Sequence, residues 1–256
     1  FPIYKPTDGK THMLLRLTAV SGYAPIIYFN KSDASTLNLT LIDLNDGSTV
    51  WTTTNSSSGN QSATVSGVSS AGNYDLQWEI TNGSGTYTFG QGSTSKSAVG
   101  GSVQNYRNTL VKCFVGKNVT TIGSYAFYYC KSIDTITLPN ELLTIEDAAF
   151  SECFALVNVV IPNNITAIKY QTFNDCFALR KIGVPSDVTS IGTYAFSSCY
   201  ILLDIYFLSN TPPTLASSNA FASINSACII YVPPSSLTTY RAATNWSTYA
   251  NYMEGV

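Results

Sequence analysis

Few residues of this chain could perform acid–base or nucleophilic catalysis. Its 256 residues include one histidine, His12. A Ser-His-Asp, Cys-His or multi-histidine metal site would therefore have to be built around that single side chain. Lys5, Asp8 and Lys10 surround it in the sequence, which indicates a solvated segment near the N-terminus. We therefore predict that His12 has no catalytic role.

Carboxylates offer a second route to catalysis, because two acidic side chains suffice to hydrolyse a glycosidic bond. Glu146 and Glu152 are candidates, but each lies on a turn of the repeat described below and faces no second acid in the pattern. The sequence contains no GxxxxGK[ST] or GxGxxG phosphate-binding loop. We predict that the protein is not an enzyme and needs no cofactor, and a carboxylate hydrolase remains the alternative.

Four aspartates in the first hundred residues could supply oxygen ligands to calcium. They are Asp33, Asp43, Asp46 and Asp75. An aspartate at a turn more often accepts a hydrogen bond from its own backbone. We therefore predict no metal site, with calcium as the open alternative.

The charge pattern excludes nucleic acid as a partner. Thirteen basic and fifteen acidic residues give a net charge of −2, without a basic stripe. Binding to nucleic acid requires such a stripe to displace counterions from phosphate. No run of 18 apolar residues predicts membrane insertion. Because the chain starts at Phe1, we expect a mature form of a secreted or cell-surface protein, with its signal peptide removed.

A repeat of 23 residues organises the second half of the chain. Phenylalanine, cysteine, isoleucine and leucine recur at this step, and partial units at both ends bring the number of rungs to six, over residues 108–233. The repeated residues include Phe127, Phe150, Phe173 and Phe196, Cys130, Cys153, Cys176 and Cys199, and Ile122, Ile145, Ile168 and Ile191. One unit cannot bury its apolar face alone, so the repeat predicts a stacked solenoid with an internal ladder of phenylalanines.

The repeat resembles a known bacterial family. The pattern LxxIxLPxxLxxIgxxAFxxC, seen at residues 133–155 and 179–199, is similar to the BspA-like class of leucine-rich repeats. Residues 231–253 resemble the closing rung and capping helix of that family, with Leu237, Tyr240, Ala243, Trp246 and Tyr249 at helical spacing. The resemblance implies a bacterial surface protein, often concerned with adhesion, and it implies no substrate. We expect a right-handed solenoid with a C-terminal capping helix.

The six cysteines are predicted to be buried thiols. Four occupy the same position in successive rungs, and Cys113 occupies a strand position taken elsewhere by isoleucine. Parallel side chains in such a ladder do not produce the torsion of about 90° that a disulfide needs. A step of 23 residues also lacks a CxxC metal pair. Cys228 lies outside the register and has no assigned role.

The first hundred residues follow a different pattern. Apolar and polar residues alternate at 15–17, 37–41 and 74–80, with turn-forming clusters between them. This spacing predicts an antiparallel β-sandwich. The turn at 45–48 and the segment 71–74 loosely resemble PKD or immunoglobulin-like modules. We expect a sandwich domain over residues 1–99 and a repeat domain over 100–256, with the Gly/Ser-rich segment 90–102 as linker.

The exposed strand residues of the solenoid are the candidate binding surface for a host or bacterial surface protein or a glycan. They are Lys112, Phe114, Asp134, Thr135, Thr137, Asn158, Val160, Arg180, Lys181, Gly183, Asp204 and Tyr206. Six rungs expose only a few hundred Å², below the roughly 800 Å² per partner of a standard interface. The predicted function is adhesion, or protein or glycan binding. The alternatives are a carbohydrate-binding module in the sandwich, with tyrosines stacking on sugars, and a solenoid that is only a spacer.

Overall fold

A computed structural model describes residues 10–17, 26–31, 36–45, 48–55, 59–64, 72–82, 87–89, 99–100, 110–117 and 119–256. The fold is mostly β. The strands before the repeat are β1 (Thr11–Leu17), β2 (Ile26–Lys31), β3 (Thr36–Asp43), β4 (Thr49–Asn55), β5 (Gly59–Thr64), β6 (Gly72–Asn82), β7 (Tyr87–Phe89) and β8 (Val99–Gly100).

Each of the six rungs contributes one strand to a long sheet, and the first five rungs each contribute a second, short strand to another wall. The long-sheet strands are β9 (Leu110–Phe114), β11 (Thr135–Thr137), β13 (Asn158–Val160), β15 (Lys181–Val184), β17 (Asp204–Phe207) and β19 (Ile229–Val232). The strands of the second wall are β10 (Val119–Ile122), β12 (Thr144–Ile145), β14 (Ala167–Ile168), β16 (Ser190–Ile191) and β18 (Thr214–Leu215). The predicted solenoid of parallel strands is confirmed.

Strand alternation explains which residues enter the core. Ile136 and Leu138 are buried, whereas Thr137 between them is exposed. Successive strand residues point to opposite faces, so each rung places its two apolar residues inside. The isoleucines of the second wall are buried opposite them.

The predicted phenylalanine ladder is confirmed. The rings of Phe127, Phe150, Phe173, Phe196 and Phe221 stack with centroids 5.3–5.4 Å apart and interplanar angles of 1–11°. Backbone hydrogen bonds between rungs set this spacing, as in the bond from the Phe127 N–H to the Ala149 carbonyl at 2.8 Å. The ladder is a continuous aromatic core.

Non-glycine residues adopt the left-handed backbone conformation at two positions in four successive turns and at one position in the fifth. The first is occupied by Tyr125, Ala148, Gln171 and Tyr194, and the second by Tyr129, Glu152, Asp175, Ser198 and Ser223. This conformation costs a non-glycine residue about 1–2 kcal/mol. It directs the N–H groups toward the next rung, where that of Ala148 donates to the Tyr170 carbonyl at 2.8 Å. Hydrogen bonds between rungs therefore offset the strain.

The C-terminal cap differs from the single helix predicted. Helix α1 covers only Leu237–Ala242, between 3-10 segments at Pro234–Ser236 and Trp246–Tyr252. Asn245 has a φ of 66° and ends the regular helical path. The aromatic stripe still covers the last rung, because Trp246 is fully buried and its Nε1 donates to the Pro213 carbonyl at 2.7 Å. Strand β20 (Met253–Gly255) then pairs in parallel with β19.

The strands of the first hundred residues are antiparallel and continue the sheets of the repeat. The long sheet runs β20-β19-β17-β15-β13-β11-β9-β1-β6-β3-β4, with β1 antiparallel to β9. Strands β2, β5, β7 and β8 belong to another sheet, in which β7 pairs with β10. The strands predicted at 15–17, 37–41 and 74–80 lie within β1, β3 and β6.

The predicted linker 90–102 coincides with the described residues only at β8. There Val99 and Gly100 pair with Ile27 and Ile26 of β2. The antiparallel half of the molecule is joined to the solenoid by the pairing of β1 with β9 and of β7 with β10. The expected β-sandwich is supported only in part: the strands of this half are antiparallel to one another and belong to two sheets.

Candidate binding surface

The candidate residues lie where the repeat predicts them, on strands β9 to β17 or at their starts. We call this side of the long sheet the outward face. Strand register aligns Lys112, Thr135, Asn158, Lys181 and Asp204 in one row. In a second row Phe114 lies beside Thr137, and Gly183 lies between Val160 and Tyr206. The structure therefore brings the predicted residues together on one surface.

At the N-terminal end of the solenoid's outward face, the charged side chains pair with one another. Lys112 Nζ lies 2.9 Å from Asp134 Oδ1 and 3.3 Å from Thr135 Oγ1. The Thr135 hydroxyl in turn donates to Asp134 Oδ1 at 2.6 Å. With lysine and aspartate paired, this end offers a partner little net charge.

A groove of about 530 Å³ opens near the middle of the outward face. It contains five of the predicted residues, Asn158, Val160, Arg180, Lys181 and Gly183. The side chain of Val160 is 81 % exposed and that of Leu208 is 63 % exposed. Both line the same groove, and exposed apolar side chains that form one contiguous patch often mark an interaction site. The remaining lining residues are Val157, Val159, Ile161, Asn163 and Pro185.

The groove lies beside two cations. Within the part of the chain that the structure describes, neither Arg180 nor Lys181 forms an ion pair, and both side chains are exposed. Lys181 Nζ lies 4.5 Å from the ring centroid of Tyr206. This contact leaves the positive charge of lysine in place, so the groove has a cationic rim.

Beyond Lys181 the outward face becomes aromatic. Tyr206 stacks on Tyr231 with centroids 4.5 Å apart at 19°. Burial, followed by the neighbouring Asp204 carboxylate, raises the pKa of Tyr231 above its usual value. Because β15 and β19 flank β17 on opposite sides, Lys181 and Tyr231 cover the two faces of the Tyr206 ring.

Leu208 and Val157 also belong to this surface but were not among the predicted residues. Both stand at positions that the 23-residue repeat defines. Leu208 stands at the position that proline occupies in the three preceding rungs, at Pro139, Pro162 and Pro185. An apolar residue at a turn position normally taken by proline was the signal. Val157 lies 23 residues after Asp134, which is one of the predicted surface residues. Val157 is 38 % exposed.

The candidate chemical residues have structural partners. Glu146 pairs with Lys169, with Nζ 2.6 Å from Oε2, and Glu152 accepts a hydrogen bond from the Tyr128 hydroxyl at 2.8 Å. His12 belongs to strand β1, where its backbone pairs with those of Gln77 and Phe114. It is therefore part of the long sheet and does not lie in a terminal tail.

Asp43 behaves as a turn aspartate, because its Oδ1 accepts the Asn45 N–H at 2.8 Å. Asp33 and Asp46 lie outside the described residues, as does the side chain of Asp75. Among the side chains that are described, no group of three or more histidine, cysteine or acidic residues could hold a metal ion. No described helix is long and apolar enough to cross a membrane.

The prediction of buried thiols without disulfides is confirmed. All six cysteines are buried, and none of them forms a disulfide. Burial raises the pKa of Cys153, Cys176, Cys199 and Cys228, with Cys199 and Cys228 reaching about 12. A thiol that stays protonated is a weak nucleophile and a weak metal ligand. The cysteines are therefore core residues.

Comparison with known proteins yields one family match. Residues 104–243 match the BspA type leucine rich repeat region, in six copies. The match begins after the antiparallel strands, so it gives no support to a PKD or immunoglobulin-like module there. No curated protein matches the chain at a significant level.

Several solved structures are similar to the chain. A leucine rich cell surface protein from Faecalibacterium prausnitzii A2-165 is 18 % identical with a TM-score of 0.47, covering 70 % of this chain and 41 % of that one. The pneumococcal vaccine antigen PcpA is 16 % identical with a TM-score of 0.45, covering 57 % and 40 %. A leucine rich repeat protein from T. pallidum is 26 % identical with a TM-score of 0.44, covering 48 % and 58 %. The chain thus spans 40–58 % of the length of these three structures.

Proposed function

Because the chain belongs to the BspA-type leucine-rich repeat family, we propose that it is a non-enzymatic binding protein of the bacterial surface, secreted or attached. It binds a host or bacterial surface protein or a glycan through the outward face of its solenoid, and so serves adhesion. The observation that carries this proposal is the open groove lined by Val160 and Leu208 and flanked by Arg180 and Lys181.

The outward face is larger than the six rungs of the repeat alone, and this larger area supports binding. The long sheet contains eleven strands, which at about 4.8 Å per strand span roughly 48 Å. The row of Phe114 continues in register through His12, Gln77, Thr40 and Thr52 of the antiparallel half. A partner centred on the groove can therefore extend beyond the solenoid and approach the area of a standard interface.

The non-enzymatic part of the proposal is supported by the positions of the acids. Glu146 and Glu152 each hold a structural partner, Lys169 and Tyr128. The carbohydrate-binding alternative concerns tyrosine side chains before residue 100, which lie outside the described part of the chain. It remains a prediction and is not proposed.

Binding is tested with the whole chain, because strands β1 and β9 join its two halves. The protein is applied to arrays of host matrix proteins, bacterial surface proteins and glycans. Positive components are then titrated against two charge reversals, Arg180→Glu and the control Lys117→Glu. Both residues are exposed cations, but Lys117 lies on a turn and does not line the groove.

The expected result is a component that binds the wild-type chain and the Lys117→Glu variant equally well, and binds Arg180→Glu at least tenfold more weakly. Equal binding by all three proteins would place the function on another surface. Silence across the arrays would favour a spacer, and turnover of a glycan that Glu146→Gln abolishes would make the protein an enzyme.

A further inference from the structure

The groove at Gly183 is specific enough to suggest its occupant. Resting on the proposed function, we infer that it receives one large apolar side chain from an extended segment of a partner protein. A carboxylate next to that side chain in the partner pairs with Arg180. The partner is thus a protein with an exposed acidic–apolar segment.

The concavity arises from a missing side chain. Gly183 is in register with Val160 on one side and Tyr206 on the other. A Cβ built on Gly183 would have no atom within 4 Å. The second row of the outward face therefore contains an empty position between two large side chains, and this position is open to solvent.

The lining of the groove favours an apolar occupant. Val157, Val160 and Leu208 are all exposed, and the apolar Pro185 also lines the groove. Removing such surfaces from water stabilises a complex by about 25 cal/mol for each Å² of apolar area buried. The volume of about 530 Å³ lies within the roughly 300–1,000 Å³ typical of ligand pockets. It accommodates a large side chain together with the adjoining backbone.

The rim of the groove specifies charge. The guanidinium of Arg180 has no carboxylate partner among the described residues, and a guanidinium pairs most strongly with a carboxylate through two parallel hydrogen bonds. Lys181 adds a second positive charge beside it. An acidic partner is therefore attracted and a basic one repelled.

A glycan fits the groove less well. Sugars bind proteins largely by stacking on exposed aromatic faces, and none of the lining residues is aromatic. The nearest outward ring in register, that of Tyr206, is covered by Lys181 and Tyr231. The observations consequently favour an apolar protein side chain over a neutral sugar.

Three synthetic peptides in a Gly/Ser framework test this inference. The first contains one leucine flanked by aspartates. In the second, lysines replace the aspartates, and in the third, serine replaces the leucine. Each is titrated into isotope-labelled whole chain, and the backbone amide signals of Val160, Gly183 and Leu208 are followed by NMR.

Two variants provide the controls. Gly183→Leu fills the empty position, where an added Cβ contacts nothing, so we expect the variant to fold. Thr214→Leu adds an exposed leucine on the second wall, on strand β18 and away from the groove. Thermal melting of both variants establishes that they are folded before the titrations are compared.

We expect the acidic leucine peptide to shift the three signals at millimolar concentration, and each control peptide to bind at least tenfold more weakly. In Gly183→Leu the signals of Val160 and Leu208 should no longer shift, and Thr214→Leu should retain all three shifts. Equal shifts with the lysine or serine peptide, shifts that persist in Gly183→Leu, or no shift with any peptide would overturn the inference. If an array component still loses binding in Arg180→Glu, the proposed function stands while this occupant is rejected.

Discussion

The thiol of Cys153 donates a hydrogen bond to the carbonyl oxygen of Phe127 in the preceding rung, with Sγ 3.1 Å from that oxygen. The same bond joins Cys176 to Phe150 at 3.3 Å and Cys199 to Phe173 at 3.3 Å. A ladder of sulfur atoms therefore accompanies the ladder of rings. Its repetition explains why cysteine recurs at this position without forming disulfides.

Alkaline pH should destabilise the fold through these thiols. The pKa of Cys199 is raised from 9.0 to about 12 by burial, so between these values the unfolded chain releases a proton that the folded chain keeps. The stabilising contribution of this thiol is complete below pH 9. It falls by about 1.4 kcal/mol per pH unit as the pH rises toward 12.

Urea unfolding between pH 8 and 11, with a reducing agent present, measures this effect. We expect the unfolding free energy of Cys199→Ala to decline less steeply with pH than that of the wild type. Parallel pH dependences for the two proteins would show that Cys199 already ionises in the folded state.

Removal of a ring from the middle of the phenylalanine ladder should be costly. Phe173 is fully buried and stacks at 5.4 Å on Phe150 and on Phe196. We expect Phe173→Ala to lower the unfolding free energy by about 3–5 kcal/mol, because it removes buried apolar area and leaves a cavity. Val160→Ala, at an exposed position, should change it by less than about 0.5 kcal/mol. Urea denaturation measures both, and a loss below about 1 kcal/mol for Phe173→Ala would mean that the rungs collapse to fill the space.

The left-handed turn positions give a matched test within one turn. Ala148 has a φ of 52°, whereas its neighbour Ala149 does not have a positive φ, and both are buried. Glycine tolerates the left-handed conformation without steric cost. Ala148→Gly should therefore leave the unfolding free energy unchanged or raise it.

Ala149→Gly should lower the unfolding free energy by about 1 kcal/mol, since glycine loses more backbone entropy on folding and the buried methyl is lost. Chemical denaturation of the two variants side by side measures the difference. Equal losses would contradict the view that strain at Ala148 is offset by the hydrogen bond to Tyr170.

The repeat made the solenoid predictable because identical spacing forces identical packing. Phe127 and Phe150 had to stack once their rungs were adjacent. The left-handed turns were not predictable, because tyrosine, glutamate and alanine occupy positions at which glycine would be the usual signal. The pairing of β1 with β9 joins segments about a hundred residues apart, and no local pattern encodes such a contact.

The candidate binding surface was predictable in part for the same reason. Alternation along each strand identifies Asn158 and Val160 as outward residues, and the structure places them there. The groove depends on what is missing at Gly183 and on the turn residue Leu208. Its shape follows from the packing of three rungs and cannot be derived from the type of any one residue. In the C-terminal cap, the prediction that an aromatic stripe covers the last rung is confirmed. The predicted single helix is wrong, because Asn245 interrupts it.

Gly183 and Gly192 should respond in opposite ways to substitution by alanine. A Cβ on Gly192 would lie 2.5 Å from the carbonyl carbon of Lys169 and 2.5 Å from the backbone nitrogen of Tyr170, whereas one on Gly183 would contact nothing. Backbone atoms cannot move aside as a flexible side chain can, so Gly192→Ala should lower the unfolding free energy by about 1–3 kcal/mol.

Gly183→Ala should leave the unfolding free energy unchanged or raise it by about 0.5–1 kcal/mol, because glycine weakens a strand relative to alanine. Urea denaturation of both variants measures this contrast. The equivalent position is Gly123, Glu146 and Lys169 in the three preceding rungs, so glycine is shared with only one of them. Similar losses in the two variants would mean that Gly183 is needed for folding. The glycine at position 183 would then be explained by folding stability. The empty position on the outward face would no longer be evidence for a bound partner.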